Sequence, residues 1–173
     1  MKAPDVSEFA RRLVASADAL TSLVEDVGAE EARWAPAPSK WSINEVFGHL
    51  ADEERHDFRQ RLRLLLEDPD QHWPAIDPEG RVREGNFNAR ELSDITAEFL
   101  SERQRSVAWL ATLQTSNWEH AYRHPTAGLL TASSLLHAWA VHDLLHLRQI
   151  VAVRYARLAA LAAPGSVDYA GRW

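Results

Sequence analysis

Apolar residues near the start of the chain recur at steps of three and four positions. The stripe comprises Val6, Phe9, Leu13, Ala17, Leu20, Val24 and Val27. This spacing is the 3.6-residue period of an amphipathic helix. Pro36 and Pro38 follow, and proline lacks the N–H that a helix interior needs. The pattern therefore predicts a first helix over 6–27 that ends before a proline-containing segment.

Two more helices are predicted from capping signals and apolar periodicity. Ser42 and Glu45 have the spacing of a capping box, in which each side chain accepts the other residue's backbone N–H. A second helix is therefore predicted from Ser42 to about Glu67. Asn88 and Glu91 have the same spacing and predict the start of a third helix. Its apolar stripe comprises Leu92, Ile95, Phe99, Val107, Leu110 and Leu113.

A fourth helix completes the predicted fold. It follows a turn-like segment at 124–128, with Thr131 as its cap, and runs to about Leu161. We identify no strand-like alternation. Four helices of this length predict an all-α protein, an antiparallel four-helix bundle whose core is formed by inward-facing stripes. We expect one domain over 1–173 with a loosely held tail at 164–173.

Composition and charge exclude several classes of function. The 173 residues contain no cysteine, which excludes disulfides, thiolate metal sites and a catalytic thiol of the protein's own. A formal net charge of −6 argues against nucleic-acid binding, and the arginine-rich stretch at 59–65 is interpreted as a solvated helix face. No apolar run approaches the ~18 residues of a membrane span. The N-terminal MKAPDVSEFARRL is acidic where a signal peptide would be apolar, so we expect a cytoplasmic protein.

Two histidines interrupt the inward-facing stripe of the fourth helix. The stripe comprises Leu135, Trp139, His142, His146, Ile150 and Val153. Residues four apart differ by about 40° of rotation, so both imidazoles can reach one ion. A buried polar pair costs free energy unless it is satisfied, and a divalent cation satisfies both rings at once. The alternative is that each ring bonds a backbone carbonyl or a partner side chain as an ordinary core histidine.

A metal site of this kind usually needs a third protein ligand. Downstream of His146 there is no His, Glu or Cys, and Asp168 in the tail is the only acid. The third ligand must therefore lie upstream. This weakens a zincin interpretation, which requires Glu at the position of Asp143. It also weakens a phosphohydrolase interpretation of His142 and Asp143, which requires a further aspartate on a downstream helix.

Eight upstream residues are candidates for the third ligand. They are His49, Asp52, Glu53, His56, His72, His120, His124 and His137. His137 is about 140° around the helix from His142 and faces elsewhere. His72, His120 and His124 lie in loop or turn segments, where an exposed histidine is the usual case. His49 lies where the second helix can pass the middle of the fourth, although its polar stripe is also compatible with a solvated face.

The segments SKWSINEVFGHLADEE (39–54) and HDLLHLRQI (142–150) together resemble the DinB-like (DinB/YfiT) superfamily of four-helix proteins. The resemblance spans essentially the whole chain. It implies a divalent metal, with zinc or nickel favoured, bound by His49, His142 and His146. It also implies activities that use low-molecular-weight thiols, and an association of the family with dimers.

The expected function is that of a metal-dependent transferase or hydrolase acting on a small-molecule substrate. A divalent ion with an open position can activate a water molecule or a low-molecular-weight thiol. The long loop at 68–87 would cover the site. The alternative is a non-catalytic metal-binding stress or regulatory protein of the same fold. A structural site of that kind would be closed by a fourth ligand, for which Asp52, Glu53 and His56 are the candidates.

Three residues are candidates for supporting roles, and none is assigned as catalytic. Glu53 could act as an acid or base, but a solvated surface carboxylate is the simpler interpretation. Gln149 could contact substrate or fix the tautomer of a histidine ligand. Arg103 could bind an anionic substrate group, or its stem could pack while its head reaches water.

The fourth helix is also apolar on a face other than the one that carries the histidines. That face comprises Leu136, Ala140, Leu144, Leu147 and Val151. A helix that is apolar nearly all round must be buried on more than one side. Together with the family resemblance, this pattern predicts a homodimer.

Overall fold

The fold is described by a computed structural model that covers residues 3–113, 116–171 and 173. Four long helical segments form the bundle, and the second segment is interrupted by one π-helical turn. The helices in chain order are α1 Val6–Ser22, α2 Ala29–Arg33, α3 Ile43–Glu53, the π-helical turn Glu54–Phe58, α4 Arg59–Glu67, α5 Pro78–Gly85, α6 Leu92–Leu110 and α7 Ala132–Leu161. The predicted all-α four-helix bundle is confirmed.

Helices α1 and α7 pack side by side and run in the same direction. Phe9 contacts His137 near the start of both helices, with ring centroids 4.6 Å apart. Near the other end, Arg154 donates a hydrogen bond to the carbonyl oxygen of Leu23. The first and last helices of the chain are therefore parallel neighbours.

The second and third long segments also run parallel to each other. Arg55 reaches Glu98, and one turn later Arg59 reaches Ser106, each through a 3.0–3.1 Å hydrogen bond. By contrast, α3 and α4 run antiparallel to α7, because His49 lies against His146 whereas Phe58 stacks on the earlier Trp139. Helix α1 also packs on α6, and the directions above make this pair antiparallel, so the bundle contains two parallel and two antiparallel neighbouring pairs.

The parallel arrangement explains the long connection between α4 and α6. Because both helices run in one direction, the chain after Glu67 must return along the bundle before α6 can begin. Its path is marked by hydrogen bonds from Arg61 to the carbonyl oxygen of Pro74, at 3.1 Å, and from Asn44 to that of Arg90, also at 3.1 Å. The predicted loop at 68–87 is therefore a crossover, and it contains the additional helix α5.

Two of the three predicted helix starts are confirmed. Ser42 and Glu45 form the capping box of α3, with reciprocal side-chain bonds of 3.2 and 2.8 Å. Thr131 caps α7 in the same manner, with Ser134 as its partner. The predicted Asn88 cap is wrong, because α6 has Glu91 at its N-cap without a side-chain bond. Asn88 instead accepts a 2.8 Å hydrogen bond from the Ser42 hydroxyl, a contact between distant segments.

Other boundaries differ from the predictions in small ways. Helix α1 ends at Ser22 and α6 at Leu110, each a few residues earlier than the apolar stripe suggests. The turn before α7 forms an antiparallel hairpin, β1 Ala121–His124 with β2 Gly128–Thr131, which the sequence pattern does not predict. Four-residue strands carry too little alternation to be distinguished from a loop. Gly128 supplies a positive φ of 75° at the turn.

The buried core has two apolar clusters with polar residues between them along the chain. One cluster includes Leu13, Phe58 and Trp139, and the other includes Leu50, Phe99, Ile150 and their neighbours. The buried charged residues of α6 and α7, His146, and Glu53 and Glu54 of the second segment occupy positions between members of the two clusters. The polar layer therefore lies near mid-bundle. No helix in the described part of the chain is long and apolar enough to cross a membrane.

Gly48 brings α3 close to the returning crossover. A Cβ atom at this position would lie 2.4 Å from three ring atoms of Phe87, too close for any real contact. Gly to Ala in a helix interior normally stabilises by about 1 kcal/mol. We expect Gly48→Ala to lower the free energy of unfolding instead, by about 1–3 kcal/mol, because the packed ring must move.

Urea unfolding monitored by circular dichroism measures this effect. Gly28→Ala is the control, since a Cβ there meets no atom within 4 Å. A stabilising effect of Gly48→Ala would contradict the close packing of Phe87 on α3.

Candidate metal centre

Three imidazole rings from two helices meet in the polar layer. His49 lies on α3, while His142 and His146 lie one turn apart on the antiparallel α7. The Nε2 atom of His142 is 3.3 Å from that of His49 and 3.1 Å from that of His146. One ligand atom from each ring lies within 4.8 Å of the others. The predicted set of three histidines is thus brought together at one point.

The spacing of these nitrogen atoms fits a tetrahedral metal ion. With metal–nitrogen bonds of about 2.0–2.1 Å, two ligands of a tetrahedral zinc lie about 3.3–3.4 Å apart. The separations of 3.1 and 3.3 Å match this value. Within residues 3–113, 116–171 and 173, no other group of three or more His or acidic side chains meets the same criterion.

The electrostatic environment keeps all three rings neutral. Burial, together with the neighbouring His146, lowers the pKa of His49 to about 3, although Asp52 opposes the shift. Burial and the two neighbouring histidines lower the pKa of His142 to about 2. Burial also lowers the pKa of His146, although the bond to Gln149 opposes this. Neutral imidazole is the form that binds metals, so the site is ready for a cation without loss of protons.

The side chains around the rings fix their orientation. Gln149 Oε1 lies 2.8 Å from His146 Nδ1, and an amide oxygen only accepts, so Nδ1 carries the proton and Nε2 keeps its lone pair. Trp41 packs on His49 with ring centroids 4.7 Å apart, and Phe58 packs on His142 at 5.0 Å. Of the two candidate roles of Gln149, contact with a histidine, here His146, is the one found. The contacts of Trp41 and Phe58 with the rings depend on tertiary packing and have no signal in the sequence.

Glu53 differs from its simpler interpretation as a surface carboxylate. It is only 6 % exposed, and its Oε1 lies 3.7 Å from His49 Nδ1. Burial, together with the neighbouring carboxyl group of Asp57, raises the pKa of Glu53 to about 9. The same side chain lines a cleft of about 190 Å³, together with Pro74, Ala75 and Ile76 of the crossover. Glu53 therefore lies between His49 and a small cleft roofed by the 68–87 segment.

Arg103 fits neither of its two interpretations, because its guanidinium is buried in an ion-pair network. It binds both carboxylate oxygens of Asp143, at 2.6 and 2.8 Å, and Glu54 Oε1 at 2.9 Å. It also donates to the carbonyl oxygen of Leu13 at 2.6 Å. The indole of Trp139 donates to the same Glu54 oxygen at 2.7 Å. This network joins all four long segments of the bundle directly behind the histidines.

The sequence carries a signal for this network. Arg103 interrupts the apolar stripe of α6, and Asp143 and Glu54 are also charged positions that prove fully buried. Opposite charges at core positions of different helices predict a buried pair. Both carboxylate oxygens of Asp143 accept hydrogen bonds from Arg103, so Asp143 is not available as a metal ligand. This geometry agrees with the rejection of the phosphohydrolase interpretation.

The remaining candidate ligands lie away from the three rings. Asp52 pairs with Arg81, and His56 lies 3.8 Å from the Asp52 carboxylate. His137 bonds the carbonyl oxygen of Ser133 at 2.7 Å, as its predicted outward direction requires. His120, expected to be exposed, is half-buried and bonds the Leu65 carbonyl oxygen at 3.0 Å. The other two, His72 and His124, contact Tyr122 and the hairpin turn.

Two solved structures are similar to this chain. YfiT from Bacillus subtilis is 19 % identical, with a TM-score of 0.75 over 88 % of this chain and 91 % of that one. It is described as a probable metal-dependent hydrolase with an unusual four-helix bundle topology. TT2238, a four-helix bundle protein, is 22 % identical, with a TM-score of 0.60 over 85 % of this chain and 98 % of that one. These similarities establish the fold.

A search among curated protein sequences finds no match. The sequence model of the DinB superfamily matches residues 12–150, a segment that includes all three histidines and most of the bundle. The chain therefore belongs to the DinB superfamily.

Proposed function

We propose that this protein is a metal-dependent enzyme that acts on a small-molecule substrate, with hydrolysis as the favoured reaction. The observation that carries the proposal is the convergence of three neutral imidazoles: the Nε2 atom of His142 lies 3.3 Å from that of His49 and 3.1 Å from that of His146. The fold similarity to YfiT, itself described as a probable metal-dependent hydrolase, supports the same reaction class. Zinc and nickel are the favoured ions, because both accept imidazole ligands.

In this proposal His49, His142 and His146 hold the metal, and Gln149 keeps His146 in the required tautomer. A divalent ion bound this way would supply Lewis-acid chemistry, lowering the pKa of a water molecule or a thiol at its open position. Glu53 lies beside Nδ1 of His49, on the opposite side of the ring from Nε2, where it can orient this ring. The crossover residues over the adjacent cleft limit the access of bulk water to Glu53.

The non-catalytic alternative requires a fourth protein ligand that closes the site. Asp52 is engaged by Arg81, and the His56 ring lies beside Asp52. Glu53 approaches His49 at Nδ1, on the opposite side of the ring from Nε2. These contacts favour a metal site with an open fourth coordination position over a structural site closed by a fourth protein ligand. A thiol-dependent transferase, the second candidate, is favoured by the family resemblance and by the absence of a competing cysteine.

The first test is metal content measured by elemental mass spectrometry on untagged protein. We expect about one divalent ion per chain, lost in His142→Ala. His137→Ala is the matched control, because this histidine lies on the same helix and bonds the Ser133 carbonyl oxygen. The loaded protein is then assayed with ester and amide substrates, and with thiols plus electrophiles. Failure of wild-type protein to bind zinc or nickel after dialysis would overturn the proposal.

Gln149 offers a finer test of the same site. Residues that bond the outer nitrogen of a histidine ligand typically contribute 10–100-fold to metal affinity. We expect Gln149→Leu to weaken metal binding by about 10–100-fold, measured by competition with a chromogenic chelator. Gln104→Leu, an exposed glutamine on α6, is the control. Equal affinities for the two variants would contradict the assigned role.

We further propose that the protein forms homodimers in the cytoplasm. A groove of about 1060 Å³ between α1 and α7 is lined by Ala15, Ala140 and Leu147. Val141 and Leu144 beside it are 52 % and 59 % exposed. Leu136 of the predicted second face is instead fully buried in the core.

The molar mass measured by light scattering tests the proposed dimer. Leu144→Arg should yield monomers, whereas Leu129→Arg on the hairpin should leave the dimer intact. A monomeric wild type would refute it.

A further inference from the structure

A second cleft lies between α4 and α6, and Gln60 is the one side chain that it shares with the Glu53 cleft. It has a volume of about 540 Å³. Arg55, Arg59 and Arg63 line it from the second helical segment, while Arg105 and Trp109 line it from α6. We call it the arginine cleft. Its volume lies within the ~300–1,000 Å³ usual for small-molecule sites.

The cleft carries more positive charge than its neighbours neutralise. Glu102 pairs with Arg55, Arg59 and Arg105, and Glu98 gives Arg55 a second partner. Glu98 is also shared with Arg90 outside the cleft. Among the described residues Arg63 has no carboxylate partner, and its guanidinium lies over the Trp109 ring at 5.4 Å. The arginine cleft therefore has a local excess of positive charge, although the net charge of the protein is −6.

A buried carboxylate holds the arginines in place. Glu102 is only 1 % exposed, and its two oxygens bond Arg59 at 2.5 Å, Arg105 at 2.6 Å and Arg55 at 3.1 Å. Burial acts to raise the pKa of Glu102, but hydrogen bonds from Arg59 and Arg55 outweigh it and keep that pKa below its usual value. Glu102 is therefore charged. It fixes three guanidinium groups that keep further N–H donors, since each has five.

We propose that the arginine cleft binds the phosphate group of a small phosphate ester, with the organic part of the ester against Leu64 and Trp109. A phosphate dianion matches both the surplus charge and the planar donor groups, which bind its oxygens in pairs. Fixed guanidinium groups lose little freedom on binding, which favours affinity. Leu64 and Trp109 supply an apolar wall beside the charged one. This binding site does not depend on the histidine centre.

A nucleic acid would be a poorer ligand than a small ester. A long polyanion extends beyond the Debye length of about 10 Å and would meet the acidic remainder of the surface. A single phosphate experiences mainly the field of the nearest arginines. The cleft is therefore assigned to a small ligand.

The test is isothermal titration of the protein with phenyl phosphate, with phenol and sodium chloride at equal ionic strength as controls. We expect saturable binding of phenyl phosphate alone, weakened about tenfold or more in Arg63→Gln/Arg105→Gln. The matched control is Arg83→Gln/Arg123→Gln, which removes two exposed arginines elsewhere and gives the same net charge. That variant should keep the wild-type affinity.

Phosphate also binds metals, so the titration is repeated with His142→Ala in the presence of a chelator. Binding that persists there belongs to the cleft, whatever the fate of the proposed metal enzyme. Binding lost in His142→Ala but kept in Arg63→Gln/Arg105→Gln would overturn the proposal. Equal weakening in both arginine double variants, no saturable binding, or binding of duplex DNA without phenyl phosphate would overturn it too. Circular dichroism confirms that each variant is folded.

Discussion

Arg103→Met is expected to lower the free energy of unfolding by about 3–5 kcal/mol, more than the loss expected for Gly48→Ala. The substitution keeps much of the side-chain volume but removes the only positive charge in the described part of the chain that contacts both Asp143 and Glu54. Two carboxylates would remain buried without a counter-charge. Removal of one partner of a buried pair is costly for this reason, even where the intact pair adds little stability.

Urea unfolding at neutral pH measures the loss. Arg105→Met is the control, because Arg105 is 67 % exposed and a surface pair contributes about 0–1 kcal/mol. A triple variant, Arg103→Met with Glu54→Gln and Asp143→Asn, removes all three charges and should recover part of the loss. A single variant as stable as the Arg105→Met control would refute the assignment of a buried, tightly coupled network.

Metal binding is expected to raise the free energy of unfolding by about 2.7 kcal/mol when free metal is present at a hundredfold excess over its Kd. The three ligands come from residues up to 97 positions apart, and only the folded chain brings their Nε2 atoms together. A ligand that binds the native state alone must stabilise it by mass action. Zinc or nickel should therefore raise the urea midpoint, and a chelator should reverse the change.

The free energy of unfolding of each variant is measured with and without metal, which separates stabilisation by metal binding from the other effects of the substitution. His142→Ala should show no increment, whereas His137→Ala should show the wild-type increment. If metal leaves wild-type stability unchanged, the three rings are ordinary core histidines, and the enzyme proposal fails with the metal site. The Arg103→Met result would stand in either case, because the ion-pair network needs no metal.

Features that depend on local sequence are predicted well. The starts of α3 and α7 follow from capping residues a few positions apart, and the facing direction of His142 and His146 follows from helical spacing. Their four-residue separation allows both rings to reach one ion, although spacing does not exclude ordinary core histidines. Spacing does not identify His49 as the third candidate ligand, because the polar stripe on which it lies is equally compatible with a solvent-exposed helix face. Only the family resemblance singles it out.

Features that depend on contacts between distant segments are not predicted. The spacing of Asn88 and Glu91 assigns Asn88 to the nearest helix start, but its side chain bonds Ser42, the N-cap of α3, 46 positions away in the chain. For Arg103 and Glu53 the simpler interpretation is a surface position, because an isolated charge usually lies there, and the burial of each depends on other segments of the fold. Helix directions are predicted only in part: the expected bundle is antiparallel, but periodicity is the same for either direction and cannot show that two of the neighbouring pairs are parallel.

The pairing of α1 with α7 also has a kinetic consequence. Helical bundles with sequential neighbours fold quickly because most of their contacts are local in the chain. Here the contact between Arg154 and Leu23 spans 131 positions, and α4 reaches its neighbour α6 only through the long crossover. Closing such long loops costs chain entropy, and this cost raises the free-energy barrier to folding. This bundle should therefore fold more slowly than an up-and-down bundle of equal stability, and its last helix must be synthesised before its first helix can be fully covered.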